Sequence, residues 1–254
     1  MAGMQDATTP FPRPLLILKT GDTYEELRAP RGDFEHWVAL GLDAAGELPL
    51  LVLDPRQGDA LPEADDIAGV VVTGSHSMVS HREPWSERTA AWLAGVVRED
   101  RVPVLGICYG HQLLAHALGG EVGNHPAGRE MGTVRLELHP SAAADPLFAG
   151  LPASFPAQAT HLQTVLRAPD GATVLARSGH DACHAFRWGE RAWGVQFHPE
   201  FSAGHMRGYV RARQDALRNE GLCPRTVARE VSAAPHARRV LRRFVGHARA
   251  LHGR

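Results

Sequence analysis

The chain has 254 residues, 44% of them apolar, which suffices for one large α/β unit with a substantial core. A formal net charge of −1 leaves no basic footprint for nucleic acid, and no apolar run approaches the length needed to span a membrane. The three cysteines, Cys108, Cys183 and Cys223, lack close spacing, which argues against a disulfide framework or a zinc site and fits a reducing cytosol.

Residues 1–12 are polar and proline-containing, without the basic and apolar regions of a signal peptide, and read as a disordered leader. Residues 14–19 carry the apolar run Leu15-Leu16-Ile17-Leu18 and predict a first strand. Residues 20–33, punctuated by Gly21, Pro30 and Gly32, read as a loop over the site. A short amphipathic helix follows over 34–40, then a second strand over 48–53 stopped by Asp54-Pro55. Residues 67–73 form a wholly apolar third strand, as expected of a parallel strand covered on both faces. It runs into Gly74-Ser75-His76-Ser77, and a helix to about Glu99 follows, with Ser86 as its expected N-cap.

The chain is organised around Val102-Pro103-Val104-Leu105-Gly106-Ile107-Cys108-Tyr109-Gly110-His111-Gln112-Leu113-Leu114. A strand-length apolar run turns sharply through Gly106, Cys108 and Gly110 and continues as a helical pattern closed by Gly119-Gly120. Strand, tight turn and helix with the reactive side chain at the tip is a nucleophile elbow carrying Cys where Ser is commoner. The helix N-terminus there favours a thiolate. A thiol nucleophile needs a base, and the base an orienting group. Trp193-Gly194-Val195-Gln196-Phe197-His198-Pro199-Glu200 offers both: His198 as base, and Glu200 on the same face of an extended segment. His111 is a second base by proximity, but at i+3 it points away from the tip. Strands and helices alternating up to the elbow predict a doubly wound, mostly parallel α/β sheet with its crevice outside the carboxyl ends of the strands. Beyond Gly120, short antiparallel strands are expected near 122, 134–138, 172–176 and 182–187, then a helix capped by Ser202 and an Arg-rich helical tail from 226. Its basic face reads as solvated surface, or as docking on the domain or a second copy of the chain.

Gly-Ile-Cys-Tyr-Gly-His-Gln followed by Gly-Val-Gln-Phe-His-Pro-Glu resembles the class I glutamine amidotransferase (triad glutaminase) family, over roughly residues 14–215. The similarity is to stand-alone members related to the glutaminase domain of GMP synthase. It implies a flavodoxin-like α/β fold with a small antiparallel β region. The amidotransferase domain would occupy 13–220 and a C-terminal helical extension 221–254. It further implies hydrolysis of the glutamine side-chain amide through a γ-glutamyl thioester on Cys108, with His198 as base and then acid and Glu200 behind it. Gly74, Ser75 and Tyr109 would form the oxyanion hole. Gln112, His161 and Gln163 would contact substrate, although Gln163 stands where the family carries Asp. Arg129-Glu130-Met131-Gly132 resembles a family turn and reads as packing near the site.

No cofactor is expected. His76, His81, His111, His116 and His125 are scattered without an i, i+4 pair, so no metal is expected either. A phosphate loop of the G-x-x-x-x-G-K-S/T type is absent, so ammonia would pass to a separate synthetase subunit in the cytoplasm. The alternative enzyme is a γ-glutamyl peptidase or amidase using the same triad on a γ-glutamyl conjugate. A non-catalytic binding module on the same fold would predict a damaged triad.

Overall fold

The computed structural model describes residues 13–42 and 48–252; the leader over 1–12 lies outside them. Four buried strands, β1 (Leu15–Leu18), β3 (Gly69–Val72), β4 (Val104–Ile107) and β11 (Ala192–Val195), pair in parallel, with β2 (Leu50–Leu53) on the outer side of β1. From β11 the sheet continues antiparallel through β10 (Ala185–Trp188), β9 (Thr173–Arg177), β6 (Glu130–Leu138) and β7 (Ser154–His161). The described residues thus form one nine-stranded sheet in the order β2-β1-β3-β4-β11-β10-β9-β6-β7. Most antiparallel strands of the second half extend the main sheet. Among the described residues only β5 (Glu121–Asn124) and β8 (Gln163–Arg167) stand apart as a two-stranded ribbon.

The period of a strand assigns each side chain to a face. Leu15 and Ile17 enter one core with α2 (Phe34–Leu42) and α8 (Pro235–His252). Leu16 and Leu18 enter the other with α3 (Pro84–Glu99) and α4 (Tyr109–Ala117). Every side chain of these central strands is covered, so each reads as a continuous apolar run. A third, aromatic cluster joins Phe34, Trp37, Phe201 and Tyr209 beneath α5 (Ala203–Ala212).

Four local expectations are corrected. The stretch 20–33 contains helix α1 (Glu25–Arg31), held by Leu27 dropping into the aromatic cluster, where Pro30 and the flanking glycines suggest a loop. Glu83, not Ser86, occupies the N-cap position of α3; Ser86 lies inside the helix, and its hydroxyl meets the Tyr109 hydroxyl at 2.6 Å. β7 and β8 are strands that the apolar pattern does not announce. The helix capped by Ser202 breaks at Arg213 into α5 and α6 (Gln214–Asn219), and the tail then forms α7 (Pro224–Glu230) and α8. Ser202 itself caps as expected, in a reciprocal box with His205.

Helix α8 places Val240, Leu241, Phe244 and Ala248 in the core against α2 and β7 and turns its arginines outward. Phe244→Ala is expected to lower the unfolding free energy by about 3–5 kcal/mol, read as a shifted urea midpoint. A shift within about 0.5 kcal/mol, the range of surface substitutions, would show that α8 is not integral to the core.

Candidate active site

The elbow is built by close backbone approach. A Cβ on Gly106 would lie 2.3 Å from the Gly110 carbonyl oxygen, and one on Gly110 would lie 2.5 Å from that of Val72. Glycine at both positions therefore lets α4 start directly over β4 and lean on β3. Between them Cys108 is held at φ 51°, ψ −98°, a conformation unfavourable for a side-chain-bearing residue. Such strain costs on the order of 1–3 kcal/mol and persists only when the surroundings over-determine it. Here the Cys108 N–H donates to the Val195 carbonyl at 2.8 Å, and its carbonyl accepts from the Gln112 N–H at 3.1 Å. The thiol thus lies at the N-terminus of α4, 3.9 Å from the Thr160 carbonyl.

His198 and Glu200 follow β11, on the other side of β4 from β3. An extended segment is expected there, but the chain turns, with the Phe201 N–H donating to the His198 carbonyl at 3.3 Å. The turn still brings His198 Nδ1 to 2.7 Å from Glu200 Oε1. The ring is also fixed by its backbone N–H on the Gln158 carbonyl at 2.8 Å and by stacking on Phe201 at 4.2 Å. Among the described residues the buried Nε2 has no hydrogen-bond partner. A Cβ on Gly74 would lie 3.1 Å from His198 Cε1 and 3.8 Å from Cys108 Cβ, so the loops after β3, β4 and β11 converge on one point. Burial alone would lower the His198 pKa; the Glu200 carboxylate and the neighbouring Cys108 outweigh it and push it up to about 10.

Ser75, Tyr109, Gln112, His161 and Gln163 line one cleft with Cys108, and Gly74 adjoins it at Cys108. Several of their side chains are already engaged. Ser75 Oγ accepts the Ser77 N–H at 3.0 Å, and the Tyr109 ring points away to Ser86. Gln112 donates to the Gln163 carbonyl at 2.7 Å and to Gln196 at 2.9 Å. Gln163 bonds Ser80 and Asn124. His111 is fully buried against Phe186, and burial holds its pKa down at about 3.

Glu130, expected to be packing, is the centre of a buried polar layer behind the cleft. Its Oε2 lies 2.9 Å from His161 Nε2 and 2.6 Å from His184 Nε2, and its Oε1 accepts the Ser178 hydroxyl at 2.7 Å. Burial would raise the Glu130 pKa, but the two histidines hold it far below the usual carboxylate range. His161 Nδ1 lies 3.0 Å from the Gln163 carbonyl. Glu130, His161 and His184 are also the described residues whose donor atoms could surround a metal ion. The two separations from Glu130 Oε2 are those of hydrogen bonds; ligand atoms around a tetrahedral zinc would stand about 3.3 Å apart, given its bond lengths. The layer is therefore a hydrogen-bonded brace as it stands. Sequence reading misses it because its members lie on separate segments with no shared spacing.

A cysteine at a strained strand-to-helix turn, facing a carboxylate-paired histidine at the carboxyl edge of a sheet, defines the nucleophile-elbow class of α/β proteins. The family model described as glutamine amidotransferase class-I matches residues 53–214. The chain belongs to the class I glutamine amidotransferase family and is an enzyme of that class. It is 39% identical over 173 residues to the glutamine-hydrolyzing GMP synthase of Aeropyrum pernix, covering 66% of this chain but 31% of that protein. It is 28% identical to a glutamine-hydrolyzing GMP synthase subunit of Methanococcus vannielii, covering 67% of this chain and 84% of that one. Among solved structures, a glutamine amidotransferase of Methylobacillus flagellatus superposes with a TM-score of 0.69 at 27% identity, covering 92% and 95% of the two chains. One from Thermotoga maritima superposes with a TM-score of 0.73 at 21% identity, covering 94% and 98%, a likeness of fold.

Glu200→Gln removes the charge that favours the imidazolium, so the His198 pKa is expected to fall by at least one unit from about 10, as read by NMR titration of its ring protons. Because the folded pKa is raised, the ring's contribution to stability is complete below about pH 6.5 and fades as pH rises through about 10. An unchanged titration would show that Glu200 does not hold the charge.

Proposed function

We propose that the chain hydrolyses the side-chain amide of glutamine through a γ-glutamyl thioester on Cys108 and supplies the ammonia to a separate synthetase subunit. The observation that carries this reading is the convergence of a strained Cys108 with a His198 ring that is pinned by Glu200 at Nδ1 and, among the described residues, unbonded at Nε2.

The Cys108 sulfur, its proton passed to His198, attacks the δ-carbonyl at the N-terminus of α4. The oxyanion lies between the Tyr109 N–H and an N–H of Gly74–Ser75; removing one such donor costs about 3 kcal/mol of barrier. The raised pKa of His198 keeps its ring protonated at neutral pH, ready to give a proton to departing ammonia. The ring then takes a proton from the water that opens the thioester, and Glu200 holds one tautomer throughout. The names of the Aeropyrum and Methanococcus relatives support glutamine as amide donor, and the naming of the second as one subunit of its synthase supports a separate partner. A γ-glutamyl peptidase would use the same three side chains on a different leaving group.

Purified protein supplied with glutamine is expected to release glutamate and ammonia in equal amounts. Cys108→Ala should lower kcat by about 10⁴-fold or more, as for removal of a nucleophile that acts as part of a unit. Undiminished release by that variant would remove Cys108 from the chemistry. Turnover of γ-glutamyl peptides with none of glutamine would favour the peptidase.

A further inference from the structure

Among the described residues no side chain lining the cleft is a carboxylate, and the permanently charged group there, Arg129, is paired with Glu220. Four carboxylates around the cleft are committed elsewhere. Asp181 accepts from the Thr164 hydroxyl and the Cys183 N–H. Glu130 is taken by His161, His184 and Ser178, and Glu200 lies behind His198. Glu220 is bonded by both Nε (2.7 Å) and one terminal nitrogen (2.9 Å) of Arg129. The wall amides offer only neutral oxygens instead. Gln163 Oε1 already accepts the Ser80 N–H at 3.3 Å while its Nε2 donates to Ser80 and Asn124, and the Gln112 amide nitrogen makes two bonds of its own.

A zwitterionic amino acid presents two charges at its α-carbon. Its carboxylate can pair with the remaining guanidinium edge of Arg129, which Glu220 holds in a fixed orientation. Its ammonium would have to leave water for a wall with no free anion, and burying a cation without a partner is unfavourable. An acylated nitrogen carries no charge and escapes that penalty.

We propose that this cleft recognises the α-carboxylate and γ-carboxamide of its substrate without requiring a charged α-nitrogen. Glutamine derivatives whose α-amino group is acylated or absent are then substrates on a par with glutamine. The inference rests on the reading of Cys108 given above and uses the same chemistry. The amide C–N bond breaks as the C–S bond forms, ammonia leaves with the His198 proton, and water replaces sulfur to give the free γ-carboxylate and the thiol.

The test compares kcat/KM for ammonia release from glutamine, Nα-acetylglutamine and glutaramic acid, with Cys108→Ala as blank. Values within tenfold of one another are expected. A preference for glutamine of more than tenfold over both overturns this inference and leaves the parent reading intact; absence of Cys108-dependent release from all three overturns both. A second arm uses Gln163→Glu, which puts a carboxylate of nearly the same shape into the wall. It is expected to raise the preference for glutamine over Nα-acetylglutamine at least tenfold, through KM rather than kcat. An unchanged ratio in a folded variant overturns the assignment.

Discussion

Everything at the site depends on one residue being held where its backbone would not otherwise rest. Cys108 has a positive φ with a side chain present, and it is kept there by the strand before it, the helix after it and the Val195 carbonyl beside it. Relaxing the turn would require β4 and α4 to separate, and the missing Cβ atoms of Gly106 and Gly110 are what let them touch. The strain is offset by burial elsewhere: α4 delivers Leu113 and Leu114 to the same core that covers β1 and β3. Sheet order then does the rest. With β3 and β11 on either side of β4, the loops that carry Gly74 and His198 open at the same edge as the cysteine.

A second constraint lies behind the cleft. Glu130, His161 and His184 come from β6, from β7 and from the turn into β10, and they meet on a single carboxylate oxygen in the interior. A buried carboxylate is tolerated only when its lone pairs are used, and here both oxygens are. The network fixes His161, whose Nδ1 in turn holds the Gln163 carbonyl and so the wall of the cleft. The antiparallel half of the sheet thereby acts as the rigid back of a site whose reactive groups all belong to the parallel half.

What the sequence makes legible is whatever is local. The fully apolar runs 15–18 and 69–72, the glycine-flanked Cys108 and the His198-Pro199-Glu200 triplet each carry their meaning within a few residues. What it conceals depends on partners far along the chain. β7 contains Pro156 and small residues and becomes a strand only by pairing with β6. α1 survives Pro30 because Leu27 is buried by residues near 34 and 209. The His198–Glu200 contact is anticipated for the wrong backbone, since a turn rather than a strand makes it. Glu130 reads as packing because no single-residue signal distinguishes a surface glutamate from one that two distant histidines will neutralise.

The most direct test of the account is intact-mass analysis of the protein quenched in acid during turnover of glutamine. A covalent adduct of one γ-glutamyl unit is predicted, mapping to the peptide that carries Cys108 and absent from Cys108→Ala. Ammonia release with no adduct on that peptide, or with an adduct on Cys183 or Cys223, would contradict the claim that the strained turn exists to present a nucleophile.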